Sequence, residues 1–229
     1  MTAFVLVHGA YQGGWIWKPT VEQLLAKGHS VFAPTLDGCA ERKGQVRAGI
    51  TTETHATEIA DLLFYEDLKD VVLAGTSTGG MVMARAAELA RERVARVVFA
   101  DALALMNGEA LPDIVKRPTA VNTELTSGPS RQDFENRLFA DLDPAMRAWA
   151  IERCTMHPIA AMTQPVKLDR FWDQSWNASV IWCKQSTNPP VAHQRRCCER
   201  LKGRWHELDT GHYPMLSEPA ALARLIAEG

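Results

Sequence analysis

A serine set between two glycines is the group whose type and surroundings best suit nucleophilic chemistry in this sequence. It is Ser77, in the stretch GTSTG at 75–79, with an apolar run at 70–75 before it and helical spacing over 78–92 after it. A tight strand–turn–helix connection of this kind raises a serine hydroxyl above the edge of a sheet. The glycines fit because side chains there would crowd neighbouring elements. A glycine-rich turn that binds phosphate at a helix N-terminus is the alternative, but we interpret Ser77 as a nucleophile.

A serine hydroxyl needs a base to remove its proton, and His212 has the position that suits this role. It follows the last strand-like run, 204–209, in a glycine-containing loop ahead of the final helical segment. A base in this place comes last in the chain order of nucleophile, acid and base. The other histidines lie within or beside predicted strands and helices. His8, at the end of the first run, is interpreted as a strand-end histidine bonded to nearby backbone.

The loop after the first predicted strand supplies groups for the other half of such a reaction. In the stretch VLVHGAYQGGWIW at 5–17, small residues come directly after the strand. Backbone N–H groups of this loop and of the residue after the nucleophile can hold the negative oxygen of a tetrahedral intermediate. We therefore predict an oxyanion hole formed by the amides of Ala10 and Thr78.

Six short strand-like runs, most of them apolar and rich in Val or Phe, must position these groups. They alternate with segments of helical spacing and lie at 3–7, 30–34, 70–75, 96–101, 179–183 and 204–209. Near-continuous apolar strands alternating with helices predict an α/β fold with a mostly parallel sheet of roughly six strands. Helices are expected on both faces of that sheet, and Thr51 is expected to cap the second helix.

The regular alternation stops after the fourth apolar run, and the gap that follows is too long for a simple loop. Prolines interrupt this gap, and short helix-like stretches occur at 130–140 and 144–157. We predict that 104–177 is a small helical cap inserted into a core formed by 1–103 and 178–229.

The bulk composition excludes several classes of partner. The chain has 229 residues, of which 46% are hydrophobic and 23% charged, as is ordinary for one globular domain. The formal net charge is -2 and no run of Lys or Arg stands out, so we expect neither a nucleic-acid nor a membrane partner. The five scattered cysteines form neither a disulfide framework nor a zinc-ligand pattern. No signal peptide precedes the first predicted strand, so we expect a cytoplasmic protein, either a monomer or a homodimer.

Five stretches together resemble the α/β-hydrolase superfamily over essentially the whole chain. They are VLVHGAYQGGWIW, GHSVFAPTLDG, THATEIADLL, DVVLAGTSTGGMV and LDTGHYPMLSEP. More narrowly, the chain is similar to a compact esterase branch that includes bacterial pyrethroid-hydrolase-like and salicylate-ester-hydrolase-like proteins, plant methyl esterases and plant hydroxynitrile lyases. The resemblance implies a roughly six-stranded sheet with a small cap over the serine.

The triad histidine needs a carboxylate that orients it, and here the sequence departs from the family. In the related proteins the acid usually lies in the loop after the penultimate strand, but the corresponding stretch IWCKQSTNPP at 181–190 contains no Asp or Glu. Asp101 ends the strand-like run that follows the run of Ser77, at the edge where ligand-facing groups gather. We predict that Asp101 replaces the missing acid. The alternatives are a structural or substrate-orienting role for Asp101 and a weaker relay through Ser186.

Aromatic residues near the predicted oxyanion loop and cap are candidates for the substrate side. Pocket walls are mostly apolar, so we predict substrate contacts from Trp15, Trp149 and Trp176, with core packing as the alternative for each. We infer a small, fairly apolar carboxylic ester, aromatic esters included.

These residues predict a serine carboxylesterase that needs no cofactor and no metal and acts on a small-molecule ester. Thioester or lactone hydrolysis would use the same groups. A hydroxynitrile-lyase-like lyase is the first alternative. However, the plant lyases carry a Lys after the histidine and a Thr in the oxyanion loop, where this chain has Tyr213 and Gly9. A non-catalytic ligand-binding protein of the same fold is the second alternative.

Overall fold

The computed structural model describes residues 1–116 and 120–228. Three residues of the predicted cap, 117–119, and the last residue of the predicted core, Gly229, lie outside the described residues. Within the described part of the chain, none of the helices combines the length and the apolar character needed to cross a membrane.

The strands of the described residues form a large sheet and a small one. In chain order the strands are β1 (Ala3–Val7), β2 (Ser30–Phe32), β3 (Val71–Ser77), β4 (Val94–Ala102), β5 (Val121–Asn122), β6 (Thr126–Gly128), β7 (His157–Pro158), β8 (Asn177–Cys183) and β9 (Arg204–Leu208). The large sheet has the order β2-β1-β3-β4-β8-β9, and every neighbouring pair is parallel. The prediction of a parallel, roughly six-stranded sheet is confirmed.

The helices of the described residues connect these strands or follow the last of them. The α-helices are α1 (Lys18–Leu25), α2 (Thr52–Tyr65), α3 (Gly79–Leu89), α4 (Leu111–Ile114), α5 (Arg131–Asp133), α6 (Pro144–Ile151), α7 (Ala160–Thr163), α8 (Val191–Leu201), α9 (Pro214–Ser217) and α10 (Pro219–Glu228). Short 3-10 helices cover Gly14–Trp17, Ala40–Gln45, Arg91–Arg93 and Phe171–Asp173, and a π-helix covers Phe134–Leu138. The predicted cap of α2 is present, because the Thr51 side chain accepts a hydrogen bond from the Thr54 amide.

The core lies on both faces of the large sheet, and successive residues of one strand serve opposite faces. On β1, Val5 and Val7 pack in the cluster beneath α2 and α3, whereas Phe4 and Leu6 pack in the cluster beneath α1 and α10. All four side chains are fully buried. A strand covered on both faces has no reason to alternate apolar with polar residues, which explains the near-continuous apolar runs of the sequence.

The segment between β4 and β8 differs from its predicted helical content. The helix predicted over 144–157 ends at Ile151, and His157 pairs with Ser127 in a small antiparallel sheet of β5, β6 and β7. A proline directly follows His157 and disfavours helical backbone at that residue. The stretch predicted as helical over 130–140 consists of α5 followed by the π-helix.

Candidate active site

Ser77 is the last residue of β3 and stands on the tight turn that leads into α3. Its φ of 50° lies in the left-handed region, which residues with a side chain rarely adopt. Backbone strain of this kind persists only where the surroundings hold it, and it is common at functional sites. The carbonyl of Ser77 accepts a hydrogen bond of 2.9 Å from the Leu103 amide, which ties the turn to the end of the neighbouring strand.

The glycines around Ser77 are required by the close approach of backbone segments. A Cβ at Gly75 would lie 2.6 Å from the carbonyl oxygen of Gly79, and a Cβ at Gly9 would lie 2.7 Å from the Cβ of Ser77. A Cβ at Gly79 would overlap the carbonyl oxygens of Val7 and His8. The G-x-S-x-G pattern is therefore a steric requirement of the turn.

Gly79→Ala should destabilise the protein, because the added methyl group meets rigid backbone and the turn must shift to admit it. Overpacking of this kind costs about 1–3 kcal/mol or more, and thermal unfolding measures the loss. Gly44→Ala is the matched control, since a Cβ there meets no heavy atom within 4 Å and its φ is ordinary. Equal melting temperatures for the two variants would contradict the steric account.

His212 lies in the loop between β9 and α9, and its ring is oriented by Asp101. The distance from His212 Nδ1 to Asp101 Oδ2 is 2.6 Å, and the two side chains are 17% and 0% exposed. Because Nδ1 is engaged by the carboxylate, Nε2 is the ring nitrogen left for a serine hydroxyl. Ser77 and His212 line the same cavity, although no hydrogen bond joins their side chains in the structure. Such bonds are often long before substrate binds.

Asp101 is fully buried at the end of β4 and has partners on both carboxylate oxygens. Oδ2 faces His212, while Oδ1 accepts hydrogen bonds from the Gln194 side-chain amide at 2.7 Å and from the Cys183 backbone amide at 3.3 Å. A buried carboxylate is costly unless it is paired and hydrogen-bonded in this way. Its φ of 45° shows that the backbone is strained here as it is at Ser77.

The loop expected to carry the family acid forms contacts of its own. The Ser186 hydroxyl donates to the Asn188 carbonyl at 3.1 Å. The side-chain amide of Gln185 donates to the exposed carboxylate of Asp209. The same carboxylate lies 3.9 Å from the Lys184 ammonium. None of these described side chains hydrogen-bonds His212. The structure thus brings Asp101, rather than Ser186 or Asp209, to the histidine.

The two residues predicted to form the oxyanion hole border the same cavity. Ala10 and Thr78 are buried and line the space beside Ser77 and His212. Neither backbone N–H donates to an acceptor within the described part of the chain. Both amides are therefore free to receive a substrate oxygen, and their function in catalysis remains a prediction.

His8 has the structural environment that its strand-end position indicates. Its Nδ1 bonds the Gly9 carbonyl at 2.8 Å, and its Nε2 accepts from the Leu36 amide at 3.0 Å. Burial lowers the pKa of His8 to about 4, so the ring is neutral near pH 7. With both nitrogens bonded to backbone, His8 fixes the oxyanion loop and has no nitrogen free for proton transfer.

The cavity over Ser77 has a volume of about 320 Å³ and a largely apolar wall. Leu103, Leu111, Val115 and Leu138 contribute this wall, and they were not among the predicted substrate residues. Tyr213 closes one side with its ring 4.9 Å from the His212 ring, and burial raises the pKa of its hydroxyl.

The three tryptophans predicted to contact substrate lie elsewhere, which corrects that prediction. Trp15 packs edge-on against Trp149, with ring centroids 5.3 Å apart. Trp176 stacks on Phe171, and its indole N–H donates to the Phe171 carbonyl at 2.8 Å. None of the three lines the cavity that holds Ser77. Their large apolar surfaces are used in packing, which was the alternative for each.

No group of three or more His, Cys, Asp or Glu side chains among residues 1–116 and 120–228 is arranged to hold a metal ion.

The chain belongs to the alpha/beta hydrolase family, whose model matches residues 4–225. It is 30% identical over 180 residues to the carbendazim hydrolyzing esterase of Nocardioides sp. (strain SG-4G), covering 73% of this chain and 74% of that protein. It is also 30% identical over 254 residues to methylesterase 3 of Arabidopsis thaliana, covering 98% and 94%. An extracellular alpha/beta-hydrolase from a Paenibacillus species matches with a TM-score of 0.86 at 22% identity, over 100% of this chain and 98% of that chain.

These findings agree on the class of protein. The family match and the structural likeness show the α/β-hydrolase fold. The two sequence relatives are esterases, which supports carboxylic ester hydrolysis as the class of activity.

Proposed function

We propose that the protein is a serine hydrolase that cleaves a small, fairly apolar carboxylic ester through an acyl-enzyme. The observation that carries the proposal is the 2.6 Å contact between His212 Nδ1 and the buried carboxylate of Asp101, in the same cavity as Ser77. A histidine held by a carboxylate beside a serine on a strained turn is the arrangement that activates a hydroxyl. Membership of the family and esterase relatives support the same activity.

The mechanism follows from the positions of these groups. The Ser77 hydroxyl oxygen attacks the ester carbonyl carbon while His212 Nε2 takes the hydroxyl proton. Asp101 stabilises the imidazolium, and the amides of Ala10 and Thr78 hold the oxyanion. The imidazolium returns the proton to the leaving alkoxide, and an alcohol departs. Water, activated by the same histidine, then attacks the acyl-enzyme, releases the carboxylic acid and restores Ser77.

The size and lining of the cavity support a small substrate. A volume of about 320 Å³ lies at the lower end of the range for ligand pockets. Leu103, Leu111, Val115 and Leu138 give the wall apolar surface, and Lys116, Arg137 and Asp141 are the charged residues that line it among those the structure describes. We therefore propose that the acyl or alcohol part of the ester is apolar. Thioesters and lactones of similar size are compatible with the same groups.

The segment 104–177 is proposed as a cap, with 1–103 and 178–229 as the core. Its described part supplies cavity-lining residues from α4 and from the π-helix, among them Leu111 and Leu138. A cytoplasmic monomer or homodimer remains the proposed state, and the name of the Paenibacillus neighbour describes that protein as extracellular.

A burst experiment tests the proposed function. With p-nitrophenyl butyrate the wild type should release nitrophenolate in a burst equal to the enzyme concentration whenever deacylation is slow. A fluorophosphonate should label one site, at Ser77. Absence of both hydrolysis and labelling would contradict the proposal and favour a non-catalytic ligand-binding protein.

A lyase reaction on cyanohydrins is less compatible with the site. The position after the histidine holds Tyr213, whose buried ring packs 4.4 Å from Phe139 and whose raised pKa keeps it neutral. A tyrosine hydroxyl carries no positive charge in either protonation state, so this position offers none to a departing cyanide. We expect no cyanide release from mandelonitrile above the uncatalysed rate, and enzymatic release would support the lyase alternative.

A further inference from the structure

Gln194 supports Asp101 from the side opposite His212. Its side chain is 1% exposed, and its amide nitrogen lies 2.7 Å from Asp101 Oδ1. The Cys183 backbone amide reaches the same oxygen at the longer distance of 3.3 Å. Gln194 thus makes the shorter of the two contacts to the carboxylate oxygen that does not face the histidine.

The orientation of the Gln194 amide is fixed by two acceptors. Its Nε2 donates to Asp101 Oδ1 and, at 3.1 Å, to the Pro189 carbonyl. Turning the amide over would place its oxygen against two groups that only accept hydrogen bonds. Its Oε1 accepts no hydrogen bond from the described residues. The side chain therefore works as a double donor that links Asp101 to the loop after β8.

Hydrogen bonds join the first turns of α8 to the segment that follows Asp101. They fix the position of Gln194 relative to the Asp101 carboxylate. His193 Nε2 accepts from the Ala104 amide at 2.9 Å. Arg196 forms two hydrogen bonds of 2.7 Å with Glu109. Burial lowers the pKa of His193 to about 4, so the ring is neutral near pH 7 and its nitrogen can accept. Contacts on both sides of Gln194 thus hold its amide in register with the carboxylate.

We propose that Gln194 is a positioning residue for the relocated acid, holding Asp101 in the orientation that pairs it with His212. This proposal rests on the proposed function and deepens it. A hydrogen bond to the charged form of a carboxylate favours that form. Unlike an arginine, a neutral amide leaves the negative charge uncompensated, so that the charge acts on the imidazolium. The buried amide thereby replaces part of the hydrogen bonding that water provides to an exposed carboxylate.

Gln194→Met removes both donors and keeps a side chain of similar length. We expect kcat on p-nitrophenyl butyrate to fall about 10- to 100-fold, the range found for hydrogen-bonded partners of metal-ligating side chains, with KM nearly unchanged. The matched control is Cys197→Ala, which removes a buried side chain from the same helix. The control should lower the melting temperature and leave kcat unchanged. A kcat of Gln194→Met within twofold of wild type overturns the proposal.

The pH dependence of kcat in Gln194→Glu distinguishes a positioning role of Gln194 from a general effect on the fold. Burial and the neighbouring Asp101 carboxylate raise the pKa of an introduced carboxyl group. Below that pKa the group carries a proton and donates to Asp101, whereas above it the group adds a second negative charge. The kcat of Gln194→Glu relative to Gln194→Met should therefore fall as the pH rises. A ratio independent of pH overturns the proposal.

A spectroscopic readout makes the test independent of turnover. The proton between His212 Nδ1 and Asp101 should give a low-field ¹H NMR signal that is absent from His212→Ala. Gln194→Met should shift or broaden this signal, and Cys197→Ala should leave it in place. An unchanged signal in Gln194→Met overturns the positioning proposal alone. A wild type that neither hydrolyses esters nor reacts with a fluorophosphonate overturns the proposed function, and this proposal with it.

Discussion

Ser77→Ala should abolish ester hydrolysis and fluorophosphonate labelling, because the hydroxyl that forms the acyl bond is gone. Loss of a triad serine costs about 10⁶-fold in kcat, and the remaining rate comes from binding and the oxyanion hole. The measurement is kcat on p-nitrophenyl butyrate, with circular dichroism to verify folding. Alanine keeps the Cβ of Ser77, so the strained turn should persist.

Ser175→Ala is the matched control for this experiment, since Ser175 is exposed and does not line the cavity. It should hydrolyse and label like the wild type. Substantial activity or labelling retained by Ser77→Ala would place the nucleophile elsewhere and end the serine mechanism proposed for this residue.

Asp101→Asn should lower kcat by about 10⁴-fold, the size of effect seen when a triad acid is made neutral. The asparagine can offer an N–H to the histidine and so select the wrong tautomer, and it has no charge to stabilise an imidazolium. The measurement is again kcat on p-nitrophenyl butyrate, with KM recorded separately to show that substrate binding is intact.

Asp209→Asn is the matched control, because Asp209 lies only three residues from His212 but is 71% exposed on its side chain. It should retain wild-type kcat. Ser186→Ala tests the relay alternative, and it should have a small effect because the Ser186 hydroxyl bonds Asn188. A near-wild-type kcat for Asp101→Asn, or a large loss for Ser186→Ala, would refute the relocated acid.

The positions of Ser77, His212 and Asp101 could be predicted from sequence because Ser77 and Asp101 lie at the ends of apolar strands and His212 follows the last strand. In a parallel sheet the carboxyl ends of the strands share one edge, so residues far apart in the chain meet there. Because 181–190 contains no carboxylate, the sequence itself indicates that another residue, Asp101, supplies the acid. The contact of Asp101 with His212 is observed, and the catalytic roles of the three residues stay predictions.

The wall of the cavity could not be predicted in the same way. The prediction for Trp15, Trp149 and Trp176 rests on residue type, but a large aromatic ring suits a core as well as a pocket. The residues that do line the cavity, such as Leu111 and Leu138, belong to short elements of the segment between β4 and β8. No periodicity marks elements of three to five residues, so their placement depends on tertiary packing.

Nothing in the sequence indicates that Gln194 contributes to the site. A glutamine in an amphipathic helix is usually exposed, and the helix α8 was predicted without any link to the site. Its contact with Asp101 spans a sequence separation of 93 residues. Only the structure shows that Asp101 accepts a hydrogen bond from the Gln194 side chain.

The rate at which a fluorophosphonate modifies Ser77 tests the central claim most directly, since it requires no knowledge of the natural substrate. The claim is that Asp101, through His212, activates the Ser77 hydroxyl. The second-order rate constant should be the same in wild type and Asp209→Asn, and lower by orders of magnitude in Asp101→Asn. Equal rate constants for wild type and Asp101→Asn would contradict the claim and show that the acid of this site is not Asp101.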